Sequence, residues 1–205
     1  MSLAEHILSK AEYDHGYKWA TRMDDRIFYN AVLGNGAAGV GLFLLLLYNM
    51  TAITMFLDYA RGAADWIMVS AEYEYGGLTW PHYDLEAGWY LTPDKSVAGI
   101  AKFFLEMYKT TGDKEYLKYA EATARWIINT GILYQGDQCY VEYNPYYQAA
   151  FGVYSYVQRD VGTLLIELYI ITRNQAYLDY AKMIGNWILA TSECYGNYCT
   201  WYDDR

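Results

Sequence analysis

The sequence predicts an all-α protein built from three helical hairpins in repeats of about 60 residues. The first observation is that residues 96–128 have one counterpart 60 residues earlier and another 61 residues later. The register is marked by Tyr48, Tyr108 and Tyr169, and by Trp66, Trp126 and Trp187. The second is that apolar residues in each copy follow the three-and-four spacing of a helix face. Such self-similarity is typical of stacked units that bury each other's apolar faces.

The repeat divides the chain, which we treat as one domain over 1–205, into four parts. These are a partial unit at 1–30 and repeats at about 31–90, 91–150 and 151–205. The partial unit matches the tail of an outer helix, and the chain ends at about the same phase of the repeat. We expect either an excised part of a longer repeat protein or a half that pairs with another chain, because neither end resembles a cap.

Each repeat is expected to contain a buried inner helix followed by an amphipathic outer helix. In the second repeat the apolar face of the first arm ends at Thr111-Gly112-Asp113. Asp113 predicts an N-cap, because its carboxylate can accept from unpaired backbone N–H groups. The second arm has apolar residues on one side and charged residues on the other.

The connections alternate between short and long. The segment from inner to outer helix is short, whereas residues 73–93 form a long return. Gly-Gly, Pro and alternating residues in that return predict a short β-hairpin. Because the lengths alternate, all long connections lie at the end where the inner helices begin. We expect a site there, close to the partly positive helix N-termini.

Charge and composition exclude some functions. The net charge is −9 and the pI is about 4.7, so no basic patch is available for nucleic acid. No charged residue occurs between Arg26 and Asp58. Gly and Asn residues interrupt this apolar stretch, and the matching arms carry charges, so it predicts a fully enclosed inner helix rather than a membrane span. Three cysteines and no signal peptide predict a cytoplasmic protein without a disulfide framework.

The phrase AAGVGLFLLLLY followed by FLDYARGAADWI, with its echo VAGIAKFFLEMYKTTGDKEYLKYAEATARWI, resembles the repeats of lanthionine synthetase C-like proteins. The resemblance implies a partial α/α toroid, in which a ring of inner helices lies inside a ring of outer helices. Catalytic members of that family hold zinc through Cys-Tyr-Gly and Cys-His-Gly motifs. Only Cys194-Tyr195-Gly196 matches here, so we expect no metal ligands, no complete zinc centre and no other cofactor.

The third repeat differs from the first two at Arg159 and Asp160. The first two repeats have Ala-Gly at these positions, near the start of the inner helix. An Arg-Asp pair at the mouth of the toroid could bind a polar substrate or hold a carboxylate for acid–base catalysis. Alternatively, Asp160 favours the helix N-terminus and Arg159 pairs with it.

The long connections contain two further groups of candidates. His82, Asp84 and Glu86 project to one face if that segment is extended, where they could bind a metal or transfer a proton. Asp137 and Glu142, close to Tyr140, could serve as the paired carboxylates of glycoside chemistry. The alternatives are a solvated loop edge and ordinary surface acids. Ligand-binding aromatic residues are expected at Tyr140 and at the tryptophans Trp80, Trp89 and Trp201, while Cys139 is expected to be a buried, neutral thiol.

Three functions remain open. The first is a lanthionine synthetase C-like domain that lacks a complete zinc centre and binds a peptide or small polar ligand in its funnel. The second is a carbohydrate-active enzyme of the glycosidase or sugar epimerase type, because similar toroids occur in such enzymes. The third is a non-catalytic scaffold. The expected partners are a small polar molecule, a peptide or a carbohydrate, together with a second copy or the remainder of the toroid. No nucleic acid or membrane partner is expected.

Overall fold

The computed structural model describes residues 3–23, 26–33, 36–81, 93–142, 155–196 and 198–201. A short helix, α1 (Leu3–Leu8), precedes three helical hairpins. The hairpins are α2 (Ala37–Thr51) with α3 (Thr54–Val69), α4 (Gly99–Thr111) with α5 (Lys114–Gly131), and α6 (Ser155–Thr172) with α7 (Gln175–Ala190). A π-helical turn, Pro93–Ala98, leads into α4. The predicted all-α class with three hairpins is confirmed.

The turns between paired helices use the same local chemistry. Ala52, Gly112 and Arg173 have positive φ values of 56°, 73° and 59° and end the three inner helices. The next outer helix then starts at an N-cap in two of the three cases. Asp113 accepts from the Glu115 N–H at 2.9 Å, as predicted, and Asn174 accepts from the Ala176 N–H at 3.2 Å.

Short antiparallel strands follow the outer helices. They are β1 (Ala11–Tyr13), β2 (Tyr17–Met23), β3 (Arg26–Tyr29), β4 (Glu72–Glu74), β5 (Gly77–Thr79), β6 (Ile132–Gln135), β7 (Gln138–Val141), β8 (Glu193–Tyr195) and β9 (Tyr198–Thr200). They form a three-stranded sheet, β1-β2-β3, and three hairpins, β4-β5, β6-β7 and β8-β9. The β-hairpin predicted in the first long return is therefore confirmed. Its turn uses positive φ values at Tyr75 and Gly76, as tight two-residue turns require.

The strands connect successive repeats. Gly16 lies against α3 and Gly77 against α5, so closely that an added Cβ would collide with the backbone nitrogen of Trp66 and of Trp126, respectively. Cys139 on β7 lies 3.9 Å from the Tyr180 carbonyl oxygen on α7. The β1-β2, β4-β5 and β6-β7 pairs therefore pack on the outer helix of the following repeat.

The core lies between inner and outer helices and between neighbouring repeats. Its largest fully buried side chains include Trp80, Trp126, Phe103 and Phe104. The α2–α4 contact depends on Gly41, because an added Cβ there would come within 2.5 Å of the Phe103 ring. A bulky ring on one inner helix thus fills the space that glycine leaves on the preceding one.

Two expectations need correction. Helix α2 is not fully enclosed, because Leu46 and Met50 are 55% and 84% exposed. Within the ranges that the structure describes, no helix has the length and apolar character needed to cross a membrane.

The expected lack of a disulfide is also wrong, because Cys194 on β8 and Cys199 on β9 face each other across the hairpin and are bonded. Cys139 is buried and free, as expected, and burial raises the pKa of its thiol to about 11.

Candidate functional site

A cavity of about 430 Å³ lies between the inner helices α4 and α6, and we call it the interhelical cavity. It is lined by Leu33, Ala98, Gly99, Lys102, Arg159, Asp160, Thr163 and Leu164. Six of these residues belong to the inner helices, two to the first turn of α4 and four to the second and third turns of α6. The cavity therefore lies toward the end of the toroid where the inner helices begin, which is where the alternating connections predict a site.

Arg159 and Asp160 form an ion pair at this cavity. The Arg159 Nε and Nη2 atoms each lie 2.8 Å from Asp160 Oδ1. The Asp160 side chain is 22% exposed, whereas that of Arg159 is 68% exposed. The guanidinium therefore reaches toward solvent, and the carboxylate lies deeper, where a ligand could accept from one group and donate to the other.

A network of charged residues continues along the same two helices. Glu167 on α6 lies 2.9 Å from Lys109 Nζ and 3.9 Å from Lys102 Nζ, both on α4. Lys109 also bonds Glu106 at 2.7 Å. Burial alone lowers the pKa of Lys109, but the hydrogen bonds and charges of Glu106 and Glu167 outweigh it and raise the pKa above its usual value of 10.5. Lys109 therefore stays charged. Positively and negatively charged side chains alternate along the faces of α4 and α6 next to the cavity.

A second, mostly apolar groove of about 450 Å³ lies between α6 and α7 and shares Arg159 and Thr163 with the interhelical cavity. Trp201 lies at its edge, with Nε1 donating to the Ile188 carbonyl at 2.8 Å. Trp19 and Trp80 make the same contact with Ile7 and Ile67, at 2.9 and 2.7 Å. These two are 6% and 0% exposed, whereas Trp201 is 42% exposed.

Some of the predicted site residues lie at the cavity or the adjoining groove, and others do not. Arg159 and Asp160 line the interhelical cavity, and Trp201 lines the adjoining groove. Trp80 is fully buried and bonded to α3, so its ring offers no surface to a ligand, contrary to the prediction.

The predicted carboxylate pair on the third strand pair is also separated. Asp137 lies in the turn before β7, and Glu142 follows the end of that strand. Five residues of extended chain place their backbones roughly 16 Å apart. Tyr140 packs against Trp187, with ring centroids 5.5 Å apart. His82, Asp84, Glu86 and Trp89 lie outside the described residues.

Sequence reasoning did not single out Lys102, Glu167 or Gln158. Gln158 is completely buried and forms two hydrogen bonds of 2.7 Å with the main chain of Val141. A signal for it was present, because Gln158-Arg159-Asp160 stands where the second repeat has Val97-Ala98-Gly99. Among the residues with described positions, no group of three His, Cys, Asp or Glu side chains could hold a metal ion.

The architecture is that of an α/α toroid segment, and comparison with known proteins shows which toroids share it. No protein-family model matches the sequence, and no curated protein matches it. Among solved structures, a family 76 glycoside hydrolase from a bovine Bacteroides thetaiotaomicron strain superposes with a TM-score of 0.74 and 19% identity, over 98% of this chain and 44% of that one.

Two other solved structures share the fold. The GH76A α-1,6-mannanase from Salegentibacter sp. HEL1_6 has a TM-score of 0.68 and 14% identity, over 99% of this chain and 57% of that one. A sugar epimerase from a ruminal bacterium has a TM-score of 0.68 and 16% identity, over 89% of this chain and 50% of that one. A variant of the mannanase with two consecutive aspartates changed to asparagine is inactive and was solved with α-1,6-mannotriose.

These likenesses establish the fold and correct the family resemblance. The toroids that superpose on this chain are family 76 glycoside hydrolases and sugar epimerases or isomerases, not lanthionine synthetase C-like proteins. The apolar and Tyr-Ala repeat phrases reflect the packing needs of stacked α/α hairpins, which unrelated toroids share. The chain spans about half the length of the solved structures that it matches.

Proposed function

We propose that this chain forms part of a carbohydrate-active toroid and that its interhelical cavity binds a sugar. The observation that carries the proposal is the Arg159–Asp160 pair at the mouth of the cavity, where the earlier repeats have only Ala and Gly. Sugars present neighbouring hydroxyl groups that both donate and accept. A guanidinium supplies several donors and a carboxylate supplies acceptors, so the pair suits two adjacent hydroxyls.

The toroids that share the fold support a glycan as the ligand. One of them was solved in complex with α-1,6-mannotriose, and two others are a sugar epimerase and a D-mannose isomerase. We therefore propose an α-linked mannose oligosaccharide as the first ligand to test. Because this chain spans about half of those structures, it contributes one wall of the site, and further toroid repeats supply the opposite wall.

Glycoside cleavage needs two carboxyl groups that flank the scissile bond. Among the described lining residues of the cavity, the one carboxylate is Asp160, so this lining supplies at most one of the two groups. The inactive mannanase variant lacks two consecutive aspartates. This chain has the pairs Asp24-Asp25 and Asp203-Asp204, both outside the described residues. We propose these pairs as the source of acid–base groups, with His82, Asp84 and Glu86 as alternatives.

The test is isothermal titration of the protein with α-1,6-mannotriose, mannose and a panel of other neutral sugars. We expect saturable binding of mannotriose in roughly the millimolar range, because an open half-site buries little of the ligand. Arg159→Gln and Asp160→Asn should weaken binding about tenfold or more, since each removes a charged hydrogen-bonding group. The control Asp179→Asn, on the outer helix α7, should leave it unchanged. Absence of saturable binding across the panel would rule the proposal out.

A further inference from the structure

Gln158 makes an unusual link between the third strand pair and the inner helix α6. Its Oε1 accepts from the Val141 N–H and its Nε2 donates to the Val141 carbonyl, both at 2.7 Å. Both groups of one side-chain amide are thus used on a single residue of β7, and Gln158 has no exposed surface. Hydrogen bonds buried in this way fix the relative position of the two segments more strictly than apolar packing does.

Comparison with the other repeats shows why the link is present. Position 158 corresponds to Ala37 and Val97, and position 141 corresponds to a tryptophan in the other copies, namely Trp19, Trp80 and Trp201. Each of those tryptophans donates from Nε1 to a carbonyl of the preceding outer helix. Val141 has no such donor. The strand pair without this tryptophan is therefore the one that is bonded to a buried glutamine.

Other contacts hold the described starts of the other two inner helices. Main-chain bonds hold the first turn of α2, with the Ala37 and Ala38 N–H groups donating to Asn30 and Ala31 at 2.9 and 3.2 Å. The π-helical turn Pro93–Ala98 leads into α4. In α6 (Ser155–Thr172), Gln158 is the fourth described residue, and its two bonds to Val141 hold this end of the helix to β7.

From these observations we infer that Gln158 is a positioning residue for Arg159 and Asp160. Successive residues of a helix point about 100° apart. When Gln158 is held against β7, the next two residues are turned toward the interhelical cavity, which both of them line. The inference deepens the proposed function, because it identifies what aligns the proposed sugar-binding pair. Loss of Gln158 would leave the Val141 N–H and carbonyl unpaired in the interior, so the first turn of α6 would move away to expose them to water.

The test compares Gln158→Leu with a matched control, Asn129→Leu. Asn129 Nδ2 donates to the Tyr75 carbonyl at 2.6 Å and ties the turn between β4 and β5 to the outer helix α5, away from the cavity. Nuclear magnetic resonance of the ¹⁵N-labelled protein would follow the Arg159 Nε–H signal and amide exchange at Val141. In Gln158→Leu we expect both hydrogens to exchange at least roughly tenfold faster, because the groups that hold them are released. Asn129→Leu should leave both unchanged.

An unchanged Arg159 Nε–H signal in folded Gln158→Leu would overturn the inference and leave Gln158 a purely structural residue. If Gln158→Leu fails to fold, Gln158→Met replaces it, because its unbranched side chain has nearly the shape of glutamine, carries no charge and makes neither bond with Val141. That variant should change the Arg159 signal in the same direction, and no change there would again contradict the inference.

A second arm separates this inference from the proposed function. In the same samples, α-1,6-mannotriose should bind more weakly to Gln158→Leu than to Asn129→Leu. If the unaltered protein does not bind the sugar, the proposed function fails, while the Arg159 signal still decides whether Gln158 aligns the ion pair. If the sugar binds equally to both variants, Gln158 does not position the site.

Discussion

Gly41 and Gly162 occupy the same position of the repeat and have opposite surroundings. An added Cβ at Gly41 would come within 2.5 Å of the buried Phe103 ring, whereas at Gly162 the nearest atom lies 3.8 Å away on Ile184. Gly41→Ala should therefore lower the free energy of unfolding by about 1–3 kcal/mol, through overpacking. Gly162→Ala should raise it by roughly 0.5–1 kcal/mol, because glycine weakens a helix interior. Urea unfolding followed by circular dichroism would measure both, and equal effects of the two substitutions would contradict the packing described here.

The three cysteines give a second prediction for single residues. Cys194 and Cys199 are bonded and Cys139 is free. Thiol titration of the protein unfolded without reductant should therefore detect one reactive thiol per chain, and three after reduction. Cys139→Ser should remove the signal before reduction and serves as the control. Three thiols before reduction would show that the β8-β9 hairpin is not cross-linked.

The sequence could not predict this bond, although it placed the cysteines five residues apart. The cross-strand register that brings them together depends on a tight turn at Gly196, where φ is positive. A short hairpin was predicted for the first long return but not at the C-terminal side. Trp80 was misjudged for a related reason. An aromatic residue after a turn has the same appearance in sequence whether its indole bonds a buried carbonyl or faces a ligand.

At the scale of elements, the outer helices differ in how they begin. Asp113 and Asn174 cap α5 and α7, whereas Ile53 stands at the same position before α3 and makes no side-chain cap. The backbone at Ile53, with φ −77° and ψ 108°, matches that at Asp113, with φ −75° and ψ 115°. Asp113→Ala should therefore destabilise the protein by about 1 kcal/mol.

Ile53→Asp is the reciprocal change. Ile53 is 46% exposed, so its replacement removes little buried apolar surface. The new carboxylate should cap α3 and raise the melting temperature by a few degrees, in line with a gain of about 0.5–1 kcal/mol. Thermal unfolding followed by circular dichroism measures this change in melting temperature. A lower melting temperature for Ile53→Asp would mean that the local backbone does not admit the cap.

The helices and their order were predictable because they depend on local signals. Apolar spacing, the Asp113 cap and the alternating connection lengths are all readable in one repeat at a time. The interhelical cavity was not, because it depends on how far α6 stands from α4. Its polar lining was partly foreseen at Arg159 and Asp160, where the repeat changes residue type. Lys102 and Glu167 were missed, because charged residues on a helix face look the same whether they line a funnel or a surface.

For the whole molecule, burial of ionisable groups predicts a loss of stability at high pH. The pKa values of Tyr116 and Tyr177 are raised to about 12, chiefly by burial, and burial raises that of Cys139 to about 11. The folded protein keeps these protons, whereas the unfolded chain releases them near 10 for tyrosine and 9 for cysteine. Their contribution is therefore complete below about pH 9 and is lost as the pH rises toward about 12.

This loss of stability can be measured as the fall in the urea concentration at the midpoint of unfolding as the pH rises from neutral to about 11. Tyr116→Phe should flatten the decline, because phenylalanine has no proton to release. Tyr73→Phe is the control, since Tyr73 is 72% exposed. A decline that is equally steep in the protein with and without Tyr116 would show that burial of this phenol does not govern alkaline stability.

The central claim is that the interhelical cavity is a carbohydrate site, and chemical-shift mapping with α-1,6-mannotriose tests it most directly. We predict saturable shifts concentrated at Lys102, Arg159, Asp160 and Thr163, which line the cavity, and none at the outer-helix residues Asp179 and Lys114. Shifts confined to other surfaces, or no shifts at saturating sugar, would contradict the claim.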